Sequence, residues 1–252
     1  MPGLNIPGEQ VQDFFMSCIC VLGMHRSGTS CLTGIMQNFG VELGEVFTDN
    51  LYNKRGNREN GRIVILNDVV LATNRAAWNN PVVVSTWTRE EAGERDSIIK
   101  ELEQKSSEHW GFKDTRTLFT LPLWLDAIKS PKFIGTFRHP HRVALSLNNR
   151  DGAPLEDSWN LWYQYNQRLM ELVRQYGFAL VDFDQDPETY LDDTLNKLIA
   201  LGLDPQHAPR AREFFDPKLR NQISSNIDDV SLPAPVLDLY DELQSYNRSF
   251  TL

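Results

Sequence analysis

The residues Gly23-Met24-His25-Arg26-Ser27-Gly28-Thr29-Ser30 have the frame of a phosphate-binding loop, G-x-x-x-x-G-K-[S/T]. Successive backbone N–H groups at a helix N-terminus form an anion site, and the helix dipole strengthens it. The hydroxyls of Thr29 and Ser30 add donors, and Arg26 can grip a phosphate or sulfate bidentately. One position breaks the pattern. Thr29 stands where a nucleoside triphosphatase keeps the lysine that reaches the β- and γ-phosphates. The loop therefore reads as an anion site, but not one for a triphosphate. A second candidate site begins at Arg138, with Ser146 eight residues further on. Arg138 closes an apolar run and Ser146 falls two turns into the helix after it, so the two can converge on one anion. Two such sites on two strand–helix units suit a ligand with phosphates at separate positions. A Gly/Ser turn that merely connects strand to helix is the plain alternative for the first site.

These groups need elements to hold them. Cys18–Leu22 has the length and bounding glycine of a buried strand. Cys31, Leu32, Ile35, Met36 and Phe39 then form an apolar stripe at helical spacing, stopped at Gly40. Ile63–Leu71 predicts a second helix, and Pro81–Trp87 a short strand. Thr88 with Glu91 reads as a capping box opening a charged helix through about Lys105. Trp110–Asp114 and Lys132–Phe137 read as strands ending in polar groups, the second followed by a helix to Leu147 with Pro140 in its first turn. A helix over Trp159–Tyr176, a strand over Phe178–Phe183, a helix over Pro187–Leu201 and a final short helix around Val236, Tyr240 and Leu243 complete the chain. Strands alternating with helices predict an α/β fold of the P-loop NTPase type, three α/β/α layers around a central parallel sheet. Such sheets bind ligands at the carboxyl ends of their strands. The chain, 1–252, reads as a single domain, with 1–16 as a flexible extension. The polar segment 44–61 is long for a loop in a compact domain and reads as a lid or acceptor loop.

A net charge of −9 argues against general nucleic-acid or anionic-membrane binding. No apolar stretch approaches the roughly 20 residues that span a bilayer, and the N-terminus lacks the pattern of a signal peptide. Cys18, Cys20 and Cys31 read as small buried thiols rather than metal ligands. A reduced, cytoplasmic protein with no metal is the expectation.

With these motifs in order, the chain resembles the sulfotransferases that use 3′-phosphoadenosine 5′-phosphosulfate (PAPS). It is similar in particular to bacterial-type members carrying G-M-H-R-S-G-T-S, G-x-x-E, K-D-x-R, R-H-P and S-L-x-x-R. Here these are Gly23–Ser30, Gly56–Glu59, Lys113–Arg116, Arg138–Pro140 and Ser146–Arg150. The resemblance spans about Cys18–Leu203. It implies that Arg26, Ser27, Gly28, Thr29 and Ser30 hold the 5′-phosphosulfate and that Arg138 and Ser146 hold the 3′-phosphate. It implies Glu59 as the base for the acceptor proton, with Lys113 and Arg26 stabilising the transferring group. The acceptor would be a small molecule or glycan, a carbohydrate or other hydroxylated metabolite being favoured. Thr115 replaces the family's proline, and Arg58 the aromatic before its glutamate.

Other roles stay open. His25 is a rival base or a shaper of the loop, and Glu59 is alternatively a solvated carboxylate among Arg55, Arg58 and Arg62. Asp114 and Arg116 read equally as an ion pair around the site. His139 and His141 read as helix-start residues, Arg150 as a supplement to the 3′-phosphate site or a helix-end charge, and Trp78 and Trp87 as pocket or core. The rival functions are a P-loop small-molecule kinase and a non-catalytic nucleotide-binding protein of the same fold.

Overall fold

The computed structural model describes residues 16–49, 54–219 and 230–250. The expected extension, apart from Met16, and residues 50–53 of the expected lid lie outside them.

Four parallel strands, β1 (Ser17–Leu22), β2 (His109–Lys113), β3 (Lys132–Phe137) and β4 (Leu180–Asp182), form one sheet in the order β2-β1-β3-β4. Both faces are covered, as a parallel sheet requires. The alternation of β1 shows how: Cys18, Cys20 and Leu22 enter one apolar cluster, Ile19 and Val21 the other. Helices α1 (Thr29–Asn38), α7 (Pro187–Ala200) and α8 (Ala208–Phe214) close the Ile19 face. Helices α2 (Gly61–Thr73), α3 (Arg89–Lys105), α4 (Thr117–Leu125), α5 (Pro140–Asp151), α6 (Leu155–Tyr176) and α9 (Ala234–Ser249) close the other. In α1, Leu32, Ile35 and Met36 are fully buried, each worth ~1.5–3 kcal/mol by transfer from water. The expected α/β/α layering is therefore the observed one.

Strand order fixes where a ligand goes. From β1 the chain crosses to β2 on one side, then to β3 on the other. The loops leaving β1 and β3 thus part at adjacent carboxyl ends, the crevice where open α/β sheets take ligands. These are the loops carrying Gly23–Ser30 and Arg138–Pro140.

Local signals placed most helices well. The Thr88 hydroxyl accepts from the Glu91 N–H at 3.1 Å while the Glu91 carboxylate accepts from the Thr88 N–H at 2.6 Å, a complete capping box. Other expectations need correction. Pro81–Trp87 is not a strand. It runs beside α2 and α4, where the Val84 N–H donates to the Phe119 carbonyl at 3.0 Å and Asn74 caps the N–H groups of Ser85 and Thr86. Helix α4 has no counterpart in the sequence reading because it is buried nearly all round and shows no polar stripe. It also contains Pro122, which leaves the Leu118 carbonyl without its helical donor. Arg168 Nε supplies one at 3.1 Å. The seven-residue α8 likewise carried no sequence signal. Helices α5, α6 and α9 run longer than their patterns suggested, and β4 is shorter.

Candidate functional site

The first loop is built by two glycines. At Gly23 a side chain would meet the Thr136 carbonyl oxygen at 2.5 Å, so β1 can approach β3 this closely only with glycine. Gly28 sits at φ 84°, and a Cβ there would fall 2.2 Å from the Phe183 ring. Gly28 also N-caps α1 without any side-chain cap, which leaves the first-turn N–H groups of that helix for an anion. The Ser27 carbonyl accepts from Thr136 at 2.8 Å, while its buried hydroxyl has no partner among the described residues. Arg26 takes a left-handed φ of 66° and donates from Nε to the Ser146 hydroxyl at 2.7 Å. Burial, then the charges of Arg150 and Arg138, lower the proton affinity of Arg26.

Arg138 is buried at the end of β3. Its Nε donates to Asp184 at 3.1 Å, it reaches the Arg26 carbonyl at 3.4 Å, and its guanidinium lies 5.2 Å from the Phe183 ring centre. Arg138 and Ser146 are linked through Arg26, which touches both. Asp184 went unnoticed in the sequence. It binds Arg138, Arg142 at 2.8 Å and the His139 N–H at 2.9 Å. Burial opposes its ionisation, yet these partners hold its carboxyl below the usual range. Its position two residues past β4, at the carboxyl edge, was the signal that could have found it.

A second group assembles at the end of β2. Lys113 Nζ donates to Glu59 Oε1 at 2.8 Å and lies 3.4 Å from the Ser30 hydroxyl. Their side chains are 2% and 13% exposed. Glu59 is therefore not a solvated carboxylate among arginines: Arg62 pairs with Glu94 and Glu101, Arg58 with Gln37, and Arg55 with the Phe214 carbonyl. Glu59 precedes Asn60, whose side chain caps α2 at the Arg62 N–H. The described ends of 44–61 pair with each other, the Phe47 N–H donating to the Glu59 backbone carbonyl and the Arg58 N–H to the Phe47 carbonyl, both at 3.1 Å.

Asp114 and Arg116 form an ion pair at 2.9 Å, joined by Asp68 and by Asn67, whose amide donates to Asp114 at 2.8 Å. Burial raises the Asp114 carboxyl despite Arg116. The Asn67 side-chain oxygen accepts from Thr120 and Trp124, so a polar strut runs from α2 into α4. His139 caps α5, its Nδ1 accepting from the His141 N–H at 3.2 Å, and burial takes it down to about 4. Arg150 lies over Trp78 at 5.7 Å and pairs with Asp151. Trp78 and Trp87 both pack against the core, and Trp78 also faces His25 edge-on at 5.3 Å.

The described residues contain no group of three or more His, Cys, Asp or Glu that could hold a metal ion. None of the described helices is long and apolar enough to cross a membrane.

The strand order and the helices on both faces define a three-layer α/β fold around a parallel sheet. No family model matches the chain, and no curated protein does. Among solved structures it is similar to the sulfotransferase domain of the Synechococcus PCC 7002 olefin synthase. The TM-score is 0.56 at 18% identity, over 91% of this chain and 95% of that domain. The sulfotransferase domain of the curacin biosynthetic pathway gives 0.48 at 14% over 91% and 98%, and the sulfotransferase STF1 of Mycobacterium tuberculosis H37Rv 0.44 at 13% over 91% and 77%. The likeness to the olefin synthase domain is one of fold.

Proposed function

We propose that this protein is a PAPS-dependent sulfotransferase acting on an acceptor hydroxyl, in a carbohydrate or another hydroxylated metabolite. The observation that carries this reading is the assembly at the switch point. Loops from β1 and β3 bring Arg26, Arg138 and Ser146 into one contact chain, while Lys113 and Glu59 meet beside Ser30. Thr29 in place of a lysine favours a sulfuryl donor over a nucleoside triphosphate.

The residues present fit such a donor. The uncapped N-terminus of α1, with Arg26, Ser27, Gly28, Thr29 and Ser30, would take the 5′-phosphosulfate, and Arg138 with Ser146 the 3′-phosphate. Lys113 and Arg26 would neutralise charge on the oxygen that bridges phosphorus and sulfur as its bond to sulfur breaks and the nucleotide leaves with it. Glu59 would receive the acceptor proton as the new sulfur–oxygen bond forms, a contribution of typically ~10²–10⁴-fold. The Lys113–Glu59 pair implies an exchange of partners: Lys113 turns to the developing negative charge and frees Glu59 to act. The segment 44–61 would cover the site and limit hydrolysis of the donor.

Calorimetric titration with 3′-phosphoadenosine 5′-phosphate (PAP), against magnesium-ATP and 5′-AMP, tests the reading. Micromolar PAP binding that falls sharply in Arg138→Ala, with little response to ATP, supports it. Preference for magnesium-ATP, or no binding, refutes it.

A further inference from the structure

Thr115 stands where the resembling family keeps proline, and its side chain reaches back to the phosphate loop. Its hydroxyl lies 2.8 Å from His25 Nε2 and 3.2 Å from Nδ1, so it straddles the ring edge and can serve either nitrogen. Thr115 is buried. The ring is walled by Trp78 at 5.3 Å and Tyr165 at 5.7 Å, both edge-on. The Tyr165 hydroxyl donates to the Trp78 carbonyl at 2.7 Å, and Phe119 braces Tyr165 at 4.9 Å. Little room is left for the imidazole to swing out.

We infer that Thr115 and His25 form a positioning pair, in which the Thr115 hydroxyl holds the imidazole so that one ring N–H serves the sulfuryl or phosphate group of the bound donor. The inference rests on the sulfotransferase reading of the site. Burial, followed by the charges of Arg116, Arg150, Lys113 and Arg26, keeps the His25 imidazole well below its ordinary range, hence neutral. A neutral ring has one N–H and one bare nitrogen. An anion asks for the N–H, and a hydroxyl can donate to the nitrogen left bare. Proline at 115 offers no such donor. His25 then adds a hydrogen bond to a pocket already rich in cations without adding a further charge.

The test uses the full chain with ¹⁵N-labelled histidine. Two-bond proton–nitrogen spectra report the protonation of each of the five imidazoles, with His25→Asn identifying the His25 signals. PAP and inorganic sulfate are the probes. The expected result is a neutral His25 ring whose N–H nitrogen shifts on PAP addition. Thr115→Val should move both ring signals and weaken PAP by roughly two- to tenfold, the range for one hydrogen bond. Thr115→Ser, which keeps the hydroxyl, should restore both. A melting temperature for each variant separates this from a general loss of structure. The inference is overturned if PAP binds without moving the His25 signals, or if Thr115→Val matches wild type in spectrum and affinity. Failure of PAP to bind wild type refutes the sulfotransferase reading instead. In that case a His25 shift with sulfate still supports the pair, and no shift overturns it.

Discussion

Glu59→Gln tests the site at its most exposed assumption, the identity of the base. The substitution keeps an oxygen for Lys113 but removes the charge 2.8 Å from a side chain only 2% exposed. Removing one partner of a buried ion pair costs ~3–5 kcal/mol, and the hydrogen bond that Gln still accepts from the ammonium returns about 1 kcal/mol. The variant should therefore lose roughly 2–4 kcal/mol, which for a chain of this size lowers the melting temperature by about 4–16 °C. PAP binding brings negative charge to the same cations, so the deficit should shrink at saturating nucleotide. PAP affinity should stay at the wild-type value or rise severalfold, because a carboxylate near the anion has gone. Turnover should fall by ~10²–10⁴. The assay is release of PAP from PAPS with an acceptor found by screening, alongside calorimetry and melting curves. Turnover within threefold of wild type would falsify the assignment of Glu59. A nucleotide affinity that fell along with turnover would place Glu59 in donor binding instead.

Gly28→Ala should be among the more damaging single changes, since a Cβ would strike the Phe183 ring at 2.2 Å in a left-handed backbone. A loss of at least about 2 kcal/mol in denaturant unfolding, partly relieved by Phe183→Leu, is the expected outcome; an unperturbed variant contradicts the loop geometry. His139, taken down to about 4 by burial, binds fewer protons folded than unfolded between that value and its ordinary 6.5. Stability should accordingly rise with pH across about 4–6.5 and fall on acidification through that window. His139→Asn, which keeps a capping side chain, should flatten that part of the profile, as urea melts at pH 5 and pH 7 will show. Arg168→Met removes the donor to the Leu118 carbonyl that Pro122 leaves open, a cost of about 1–3 kcal/mol. In a Pro122→Ala background the helix supplies its own donor, so the same change should cost clearly less; equal costs in both backgrounds would rule out this account.

The local parts of this protein were legible in its sequence because local interactions make them. The phosphate-loop frame from Gly23 to Ser30 follows from glycines, a short apolar strand and a helical stripe. The capping box at Thr88 and Glu91 closes within a single turn. The buried runs of β1 and β3 named the fold class. Patterns failed where burial erased periodicity, as in α4, or where a short β-branched run met helices rather than a sheet edge, as in Pro81–Trp87. The site itself was only half visible. Strand periodicity says which residues face inward, but not which strand lies beside which, and every decisive contact depends on that order. Arg26 reaches Ser146 across 120 positions, His25 meets Thr115 across 90, and Glu59 meets Lys113 across 54. Asp184 comes to Arg138 because β4 lies next to β3. The sequence thus determined which groups could bind an anion. Only the order β2-β1-β3-β4 decided which of them meet, since no interaction shorter than the whole sheet brings them together.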